Sequence, residues 1–447
     1  MTLRPAATAP RPYRFPDVVR HELPNGLGVW FVPLADRELV SVHLLTDAGA
    51  AAEDEAEAGI AALTAQLLVT GTRALDAAAF AETTERLGIE VGSESSWDSA
   101  RAGFLALGDK LEAGLELLAD MLTAPRLDEG EFERLKSERL NDILQARAEP
   151  GRLADERFLD AVYADGVPYG RLSAGRPETV EPLSIDAVRG FHATRYAPNV
   201  ADIIVAGAFD PDAALAAIER RLDTWTGSGP GHRTIEAVER GGRRVVVVDR
   251  PGSVQSELRV GHLGIHRHDE RLFPAMVMAA LLGGVFGSRL NLRLREELGY
   301  TYGARCSFDP RRARGPFTTT AAVQTEVTVD AIRELLAQLE RIREAPPGDD
   351  ELKEVRDFLV GVFPLRFETT GGIASAIEPM AMYDLPDDWW HAYRSRLEAV
   401  TPSDVHRVAR ELVRPEDSLV LVVGDAASFG DELKGAGLGS VEVVSEG

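Results

Sequence analysis

The sequence has almost no cysteine and no long apolar runs. Cys306 is the single cysteine among 447 residues, so no disulfide forms within the chain, and its strand-like neighbours predict a small buried side chain. No segment approaches the ~20 consecutive apolar residues of a membrane-spanning helix. The proline-rich start MTLRPAATAPRPYRFP also lacks the apolar run of a signal peptide. We therefore expect a cytoplasmic protein without a membrane partner.

Positive charge is scarce relative to negative charge. Lys and Arg number 49 against 72 Asp and Glu, and the formal net charge is -23. Nucleic acids and anionic membrane surfaces are bound through clustered Lys and Arg, so this composition argues against both as partners. Cationic peptides remain compatible with it. The apolar content of 45% is enough for a large core, and the length predicts more than one domain.

The sequence contains an internal repeat. The matching runs are GVWFV with RVVVV, ELLA with a second ELLA, and APNVADIIVAG with RPEDSLVLVVG, separated by 216 to 218 residues. A nearly constant offset over such distant matches predicts two homologous domains. We expect a flexible tail at 1–16, domains at 17–225 and 243–447, and a Gly/Pro/Ser-rich linker at 226–242.

The order of elements within each repeat predicts the fold class. Asn25-Gly26 joins two strand-like runs and indicates a hairpin. Further strands follow, helices cluster in the middle, and one buried strand returns at the end. We therefore expect α+β domains, each with an antiparallel-rich mixed β-sheet and helices packed on one face.

The stretch 279–303, AALLGGVFGSRLNLRLREELGYTYG, combines several signals. Leucines at 290, 294 and 298 repeat at helical spacing, and Ser288 is placed to cap that helix. Arg293 and Tyr300 lie seven residues apart, which in an α-helix directs both side chains away from the leucines. The simplest interpretation is an exposed arginine and a tyrosine that begins a strand.

Five segments together resemble the pitrilysin/insulinase family of zinc peptidases, the inverzincins. They are LPNGLGVWFVP, GIAALTAQLLVTGT, the segment from VPYGRLSAG to VAGAFDP, LLGGVFGSRL and LREELGYTYG. The resemblance is to the short two-domain branch that includes the mitochondrial processing peptidase, and it covers nearly everything after residue 16. It implies the metallohydrolase fold of that branch.

The zinc motif of that family, H-x-x-E-H, is missing. Its positions fall on Ala62, Ala65 and Gln66, and the family's third ligand falls near Asp142. Alanine has no lone pair, and a neutral amide oxygen is a poor zinc ligand beside imidazole. We therefore expect no catalytic zinc and no cofactor in this chain.

Other metal or anion sites have weaker support. His262, His266 and His268 share one strand parity, so a metal site is conceivable, but a strand end running into a polar loop is the simpler explanation and we expect no metal there. GGVFGS lacks the G-K-[ST] of a phosphate-binding loop. By resemblance, Gly283, Gly284 and Gly287 belong to a glycine-rich loop that meets substrate. His43, His192 and His406 are isolated and expected to be structural.

The resemblance also suggests a role for Arg293 and Tyr300, which occupy the places of a family arginine and tyrosine that reach the peptide across a central cavity. It implies a non-catalytic subunit of a heterodimeric zinc peptidase. A homologous partner with an intact H-x-x-E-H would hold the zinc, and the substrate would be an extended peptide or unfolded segment. The alternative is a peptidase-derived scaffold or peptide-binding protein with no role in proteolysis.

Overall fold

The computed structural model describes residues 11–445, which contain two six-stranded sheets. The strands of the first sheet are β1 (Val19–Glu22), β2 (Gly28–Pro33), β3 (Leu39–Thr46), β4 (Glu90–Ser95), β5 (Ala100–Leu107) and β6 (Ala201–Gly207). Those of the second are β7 (Arg244–Asp249), β8 (Gln255–Leu263), β9 (Thr301–Phe308), β10 (Pro316–Gln324), β11 (Leu419–Gly424) and β12 (Ser440–Ser445).

The two sheets share one strand order over five strands. The first runs β1-β2-β6-β3-β5-β4 and the second β12-β7-β11-β8-β10-β9. In both, the pair β2/β6 or β7/β11 is parallel and the following pairs are antiparallel. The sixth strand differs, because β1 joins β2 through the predicted hairpin whereas β12 comes from the end of the chain and lies parallel to β7. The predicted α+β fold with mixed, antiparallel-rich sheets is confirmed.

Helices follow the strands in each half. The first half contains α1 (Ile60–Leu68), α2 (Ala77–Leu87), α3 (Leu111–Thr123), α4 (Glu129–Ala148), α5 (Pro150–Val162), α6 (Pro177–Val180), α7 (Ile185–Arg195) and α8 (Pro211–Leu222). The second contains α9 (Leu272–Ala279), α10 (Thr328–Glu344), α11 (Asp349–Val362), α12 (Thr370–Met382), α13 (Trp389–Glu398), α14 (Pro402–Leu412) and α15 (Ala426–Gly435). No helix within residues 11–445 is both long and apolar enough to cross a membrane.

Short polar side chains fix the starts of many of these helices. Each accepts a hydrogen bond from a backbone N–H of the first turn, which otherwise has no partner in the helix. Residues with this role include Asp76, Asp128, Ser184, Asp210, Thr369 and Thr401. Thr401 and Asp404 complete a reciprocal capping box at α14.

Each half contributes one helix to the sheet of the other half, and we call α5 and α12 the exchanged helices. α12 packs on β3 and β6 of the first sheet, and α5 packs on β11 and β8 of the second. Each central strand is therefore buried on both faces: Val29 and Phe31 face the helices of their own half, whereas Trp30 and Val32 belong to the core that includes α12. Periodicity alone did not predict this second cover, although double burial does explain the continuous apolar runs of these strands.

The start of the described chain is held by the second half. Residues 1–10 of the predicted flexible tail lie outside the described residues. Phe15 is buried and contacts Phe367 and Trp390, with ring centroids 5.0 and 6.0 Å apart. The segment between α8 and β7 contains no helix or strand apart from one bridge, between Tyr163 and Glu239. The domain boundaries given above stay predictions.

Candidate functional site

α1 carries the degenerate zinc-motif positions and lies deep in the first half. It packs on α4 and α7 and also contacts the edge strand β4 and its neighbour β5. Ala65 is fully buried, Ala62 is nearly so, and Gln66 is half-buried. A helix that is apolar on nearly all sides is expected in such a place. The predicted buried helix is confirmed, with its end at Leu68 rather than Gly71.

The residues around α1 do not fit a zinc ion. The methyl groups of Ala62 and Ala65 donate nothing, and Asp142 is an exposed residue on α4. Within residues 11–445, no three His, Cys, Asp or Glu side chains come together in a way that could hold a metal. A catalytic zinc site needs about three protein ligands. This chain does not build such a site at α1.

One buried carboxyl group, that of Glu53, lies at the start of α1, but it is already engaged by hydrogen bonds from the helix backbone. Oε1 of Glu53 accepts hydrogen bonds from the backbone N–H of Gly59, at 3.1 Å, and of Ala61, at 2.8 Å. Burial raises the pKa of the Glu53 carboxyl to about 8, against the two hydrogen bonds, which favour the ionised form. Glu53 therefore caps α1.

Arg293 lies on a wide helical turn in the second half. The segment Asn291–Glu297 is π-helical, and its end is marked by a hydrogen bond of 3.1 Å from Leu298 N to Arg293 O. The structure differs here from the α-helix that we expected, so a seven-residue spacing no longer corresponds to two turns. Ser288 begins the helix through its carbonyl, but its hydroxyl accepts from the side chain of Asn291 instead of capping it.

Two carboxylates hold the Arg293 guanidinium. Nη1 donates to Oε2 of Glu297 at 2.7 Å, and Nη2 donates to Oε2 of Glu334 at 3.2 Å. The hydrogen bonds to Glu334 and Glu297 raise the pKa of Arg293. Each terminal nitrogen carries two N–H groups and uses one of them here. One N–H on each therefore stays available to a ligand, and the side chain is 33% exposed.

Tyr300 lies beyond the end of that helix. Gly299 adopts a left-handed conformation, with φ 68°, and Tyr300 N then bonds to Leu294 O at 2.8 Å. The Tyr300 ring packs partly against the second-half core, beside the predicted leucine face at Leu290, Leu294 and Leu298. Its hydroxyl makes no hydrogen bond to any residue of 11–445.

The glycines of the predicted substrate loop differ in their surroundings. A Cβ on Gly283 would lie 2.6 Å from the backbone nitrogen of Cys306, so this glycine allows close packing against β9. Cys306 itself is buried as predicted, and burial raises the pKa of its thiol. Gly284 and Gly287 are exposed, and a Cβ on Gly287 would meet nothing within 4 Å. Only these two are open to a ligand.

The three histidines at 262–268 do not converge. His262 is buried and its ring is occupied, since Nε2 accepts from the backbone N–H of Arg414 at 3.0 Å and Nδ1 lies 3.0 Å from Leu263 O. Burial lowers its pKa to about 4. His268 is exposed, and Nδ1 of His266 accepts from its backbone N–H. His262 is therefore a structural residue.

Two family models match most of the chain. The model described as "Insulinase (Peptidase family M16)" matches residues 34–174, and that described as "Peptidase M16 inactive domain" matches residues 182–359. The chain belongs to peptidase family M16. The resemblance given above is thereby confirmed.

Relatives of this chain include one protein named as a zinc protease and one named as a non-peptidase homologue. An uncharacterised zinc protease of Streptomyces coelicolor is 24% identical, with 91% of this chain and 89% of the relative covered. A non-peptidase homologue of Helicobacter pylori is 25% identical over 73% of this chain and 76% of its own length. The crystal structure of a peptidase M16 inactive domain from Pseudomonas fluorescens superposes with a TM-score of 0.84, at 25% identity, covering 91% of this chain and 98% of that one.

A charged cluster joins the two halves of this M16 chain and was not found in the sequence. His43 on β3 lies 2.6 Å, Nδ1 to Oε1, from Glu378 on α12. Arg101 on β5 donates to the same oxygen at 2.8 Å and also pairs with Glu94 on β4. Burial opposes ionisation of Glu378, but His43 and Arg101 hold its pKa below the ordinary value. We had expected His43 to be isolated, and this prediction is wrong. Its partner, Glu378, lies on α12, far away in the sequence.

Proposed function

We propose that this chain is the non-catalytic, substrate-binding subunit of a heterodimeric zinc peptidase. A homologous subunit with an intact H-x-x-E-H motif supplies the zinc and the general base, and this chain supplies Arg293 and Tyr300. One observation carries the proposal. Helix α1 carries no His, Cys, Asp or Glu, whereas two carboxylates hold the Arg293 guanidinium in place. Within residues 11–445, each terminal nitrogen of Arg293 keeps one N–H without a partner, and the Tyr300 hydroxyl makes no hydrogen bond.

The two side chains suit complementary tasks. The guanidinium of Arg293 offers N–H donors to the carbonyl groups of a peptide, while its other donors stay paired with Glu297 and Glu334. A neutral tyrosine hydroxyl donates to the oxyanion that forms when a peptide carbonyl is attacked. In this arrangement Arg293 binds peptide throughout the reaction, and Tyr300 acts mainly in the transition state.

The substrate is an extended peptide or unfolded segment. Such segments bind to sheets by adding a strand at a free edge, which uses main-chain hydrogen bonds and so tolerates many sequences. β4 is the end strand of the first sheet and lies beside α1. The cytoplasmic location belongs to the same proposal.

A scaffold or peptide-binding protein without a role in proteolysis is the second candidate. The loss of ligands at residues 62, 65 and 66 fits it equally, and one relative is named a non-peptidase homologue. The Tyr300 hydroxyl, which has no hydrogen-bond partner among the described residues, favours the first candidate, because a scaffold has no need of it.

The test measures steady-state peptide cleavage by the complex of this chain with its catalytic partner, called the mixed complex, and compares the wild-type chain with its variants. The partner for this test is a homologue with an intact H-x-x-E-H motif, to be sought first in the gene next to the one for this chain. Tyr300→Phe should lower turnover by about 10²-fold, as when one oxyanion donor is lost, with a smaller change in substrate affinity. Arg293→Ala should weaken both binding and turnover.

Tyr302→Phe is the matched control, because Tyr302 lies two residues away and is 93% exposed. It should cleave like the wild type. Unchanged cleavage by the Tyr300 and Arg293 variants would leave the scaffold candidate. Loss of assembly, measured by size, would mean that the pair is structural.

A further inference from the structure

The outer edge of β1 has no strand beside it among residues 11–445. β1 (Val19–Glu22) lies at one end of the first sheet and pairs there only with β2. All four of its residues are exposed. An edge strand in this state presents a row of unpaired N–H and C=O groups to a further strand. β1 can therefore accept a strand from another molecule.

The hairpin after β1 shows which backbone groups point outward. Leu23 N donates to Leu27 O at 2.9 Å, so Leu23 uses its backbone groups within the hairpin. Ladder bonds of an antiparallel pair fall on every second residue of each strand. His21 therefore directs its N–H and C=O towards β2, whereas Arg20 and Glu22 direct theirs away from the sheet.

Arg20 and Glu22 carry opposite charges on one face of β1, because side chains alternate along a strand. The Arg20 guanidinium stacks on Trp30, 4.0 Å from the ring centroid, and its Nη1 donates to Asp387 at 3.0 Å. A guanidinium has five N–H donors, so several stay available. Glu22 makes no ion pair within residues 11–445. A strand that pairs with β1 thus meets one positive and one negative side chain.

Only one register of two antiparallel β1 strands brings opposite charges together. Outward-directed residues must lie opposite each other, because they exchange the new hydrogen bonds. Pairing Arg20 with Arg20, or Glu22 with Glu22, places like charges side by side, which is destabilising. Pairing Arg20 with Glu22 forms two ion pairs at once, since the two-fold axis between identical copies repeats the contact. His21 then faces His21 of the second copy at the axis.

From this self-complementarity we infer that two copies of this chain associate through their β1 strands, so that their first sheets continue as one. The inference goes beyond the proposed function and does not depend on it. The contact is short, so the dimer is weak, with a dissociation constant on the order of 50 µM. Each copy has a net charge of -23, and salt at about 150 mM screens this repulsion beyond about 8 Å.

Sedimentation equilibrium of the full chain, at about 1 to 200 µM and about 150 mM salt, measures the association. Glu22→Arg places two arginines opposite each other and should weaken the dimer by about tenfold or more. Arg20→Glu places two glutamates opposite each other and should have the same effect. The two variants change the net charge in opposite directions. Weakening by one and strengthening by the other would therefore show that only overall charge matters and would overturn the inference.

The double variant Arg20→Glu with Glu22→Arg keeps the net charge and rebuilds both ion pairs in reverse. Its dissociation constant should return to within about fivefold of the wild-type value. Recovery is incomplete because the contact with Asp387 is lost. A double variant as weak as the single ones would contradict the pairing, and so would a wild-type chain that stays monomeric at about 200 µM, which would leave β1 to a different partner.

Glu442→Arg is the control for Glu22→Arg. It makes the same charge change on β12, the end strand of the second sheet. It reduces the repulsion between copies without touching β1, so the dimer should be as strong as in the wild type or stronger. A weaker dimer in this variant would place the contact at β12 and refute the inference.

A disulfide tests the register directly. Opposite residues that exchange no hydrogen bonds have Cα atoms about 4.5 Å apart, within the range of disulfides. His21→Cys should therefore cross-link two copies on mild oxidation, while the native Cys306 is buried. Val19→Cys is the control: Val19 is exposed on the same strand face but lies two residues from the axis, too far from its own copy for a disulfide. Equal cross-linking of both variants would rule out this register.

Discussion

Arg293 and Glu334 form an ion pair that links the wide turn before β9 to helix α10, with Nε 2.9 Å from Oε1. Gln338 and Arg341 also donate to Glu334, at 3.0 and 3.3 Å. Burial disfavours the charged carboxyl, but these hydrogen bonds, led by Arg293, hold the pKa of Glu334 below its ordinary value. Glu334 therefore remains ionised and fixes one side of the guanidinium.

Glu334 is accordingly expected to act as a positioning residue for Arg293. Glu334→Gln removes the charge but keeps the shape, so the chain should fold and assemble. In the mixed complex KM should rise about fivefold with little change in kcat, because a mobile Arg293 holds peptide less well. Glu340→Gln is the control on the same helix, since Glu340 does not contact Arg293. Equal kinetics for the two variants would contradict this role.

Glu378 is expected to be important for the contact between the halves. Glu378→Ala leaves His43 and Arg101 without their shared partner, and both are largely buried, with 14% and 32% of their side chains exposed. Removing one member of such a cluster should cost about 2 kcal/mol in the free energy of unfolding, measured with urea. Glu432→Ala breaks an exposed pair with Arg333 and should cost less than about 0.5 kcal/mol. Similar losses of unfolding free energy in the two variants would show that the buried cluster stabilises the protein no more than an exposed ion pair does.

The sequence predicted the elements better than their partners. The apolar character of GIAALTAQLLVTGT predicted a buried helix, and the repeat predicted two similar sheets, because both follow from local pattern. The exchange of α5 and α12 was missed, since periodicity shows which face is apolar and not which surface it meets. Double burial of strands such as RVVVV was the available signal.

The same difference between local pattern and long-range contact applies to the candidate site. The absence of ligands at Ala62, Ala65 and Gln66 is readable residue by residue. The pairing of Arg293 with Glu334 and of His43 with Glu378 joins residues far apart in the chain, so no spacing rule could find it. The segment Asn291–Glu297 is π-helical, so the prediction for Arg293 and Tyr300 that assumed α-helical spacing does not apply.

Restoring the zinc motif should damage the fold before it restores chemistry. Ala65 is fully buried on α1, so Ala65→Glu places a charged, larger side chain in a packed core. The cost should be about 3 kcal/mol or more, seen as a fall in Tm. Gln66→His, at a half-buried position, should cost about 1 kcal/mol or less.

The full set Ala62→His, Ala65→Glu, Gln66→His and Asp142→Glu is therefore expected to bind zinc weakly and to cleave poorly. Metal analysis after mild chelation measures the first property and peptide hydrolysis the second. An unchanged Tm for Ala65→Glu would show that this side of α1 is more open than the packing indicates.

His262 should make the protein less stable as the pH falls. In the unfolded chain its imidazole binds a proton below about pH 6.5, but in the folded protein it does so only below about pH 4, because burial lowers its pKa. Unfolding thus takes up a proton between these two values. The stabilising contribution is complete above about pH 6.5 and is lost as the pH falls to about 4, by about 3 kcal/mol in total.

Three other ionisable groups act on this imidazole, Arg414, Glu239 and Asp417, and the pair of Arg414 with Glu239 remains charged across the window. Burial raises the pKa of Glu53 to about 8, so Glu53 makes a contribution of the opposite sign over much of the same pH range. His262→Gln leaves Glu53 in place, so it should change the pH dependence of the unfolding free energy relative to the wild type by about 3 kcal/mol between about pH 4 and 7, measured with urea at several pH values. His268→Gln, at an exposed position, should keep the wild-type slope. If the His262→Gln variant also kept that slope, the acid sensitivity would have to come from other groups.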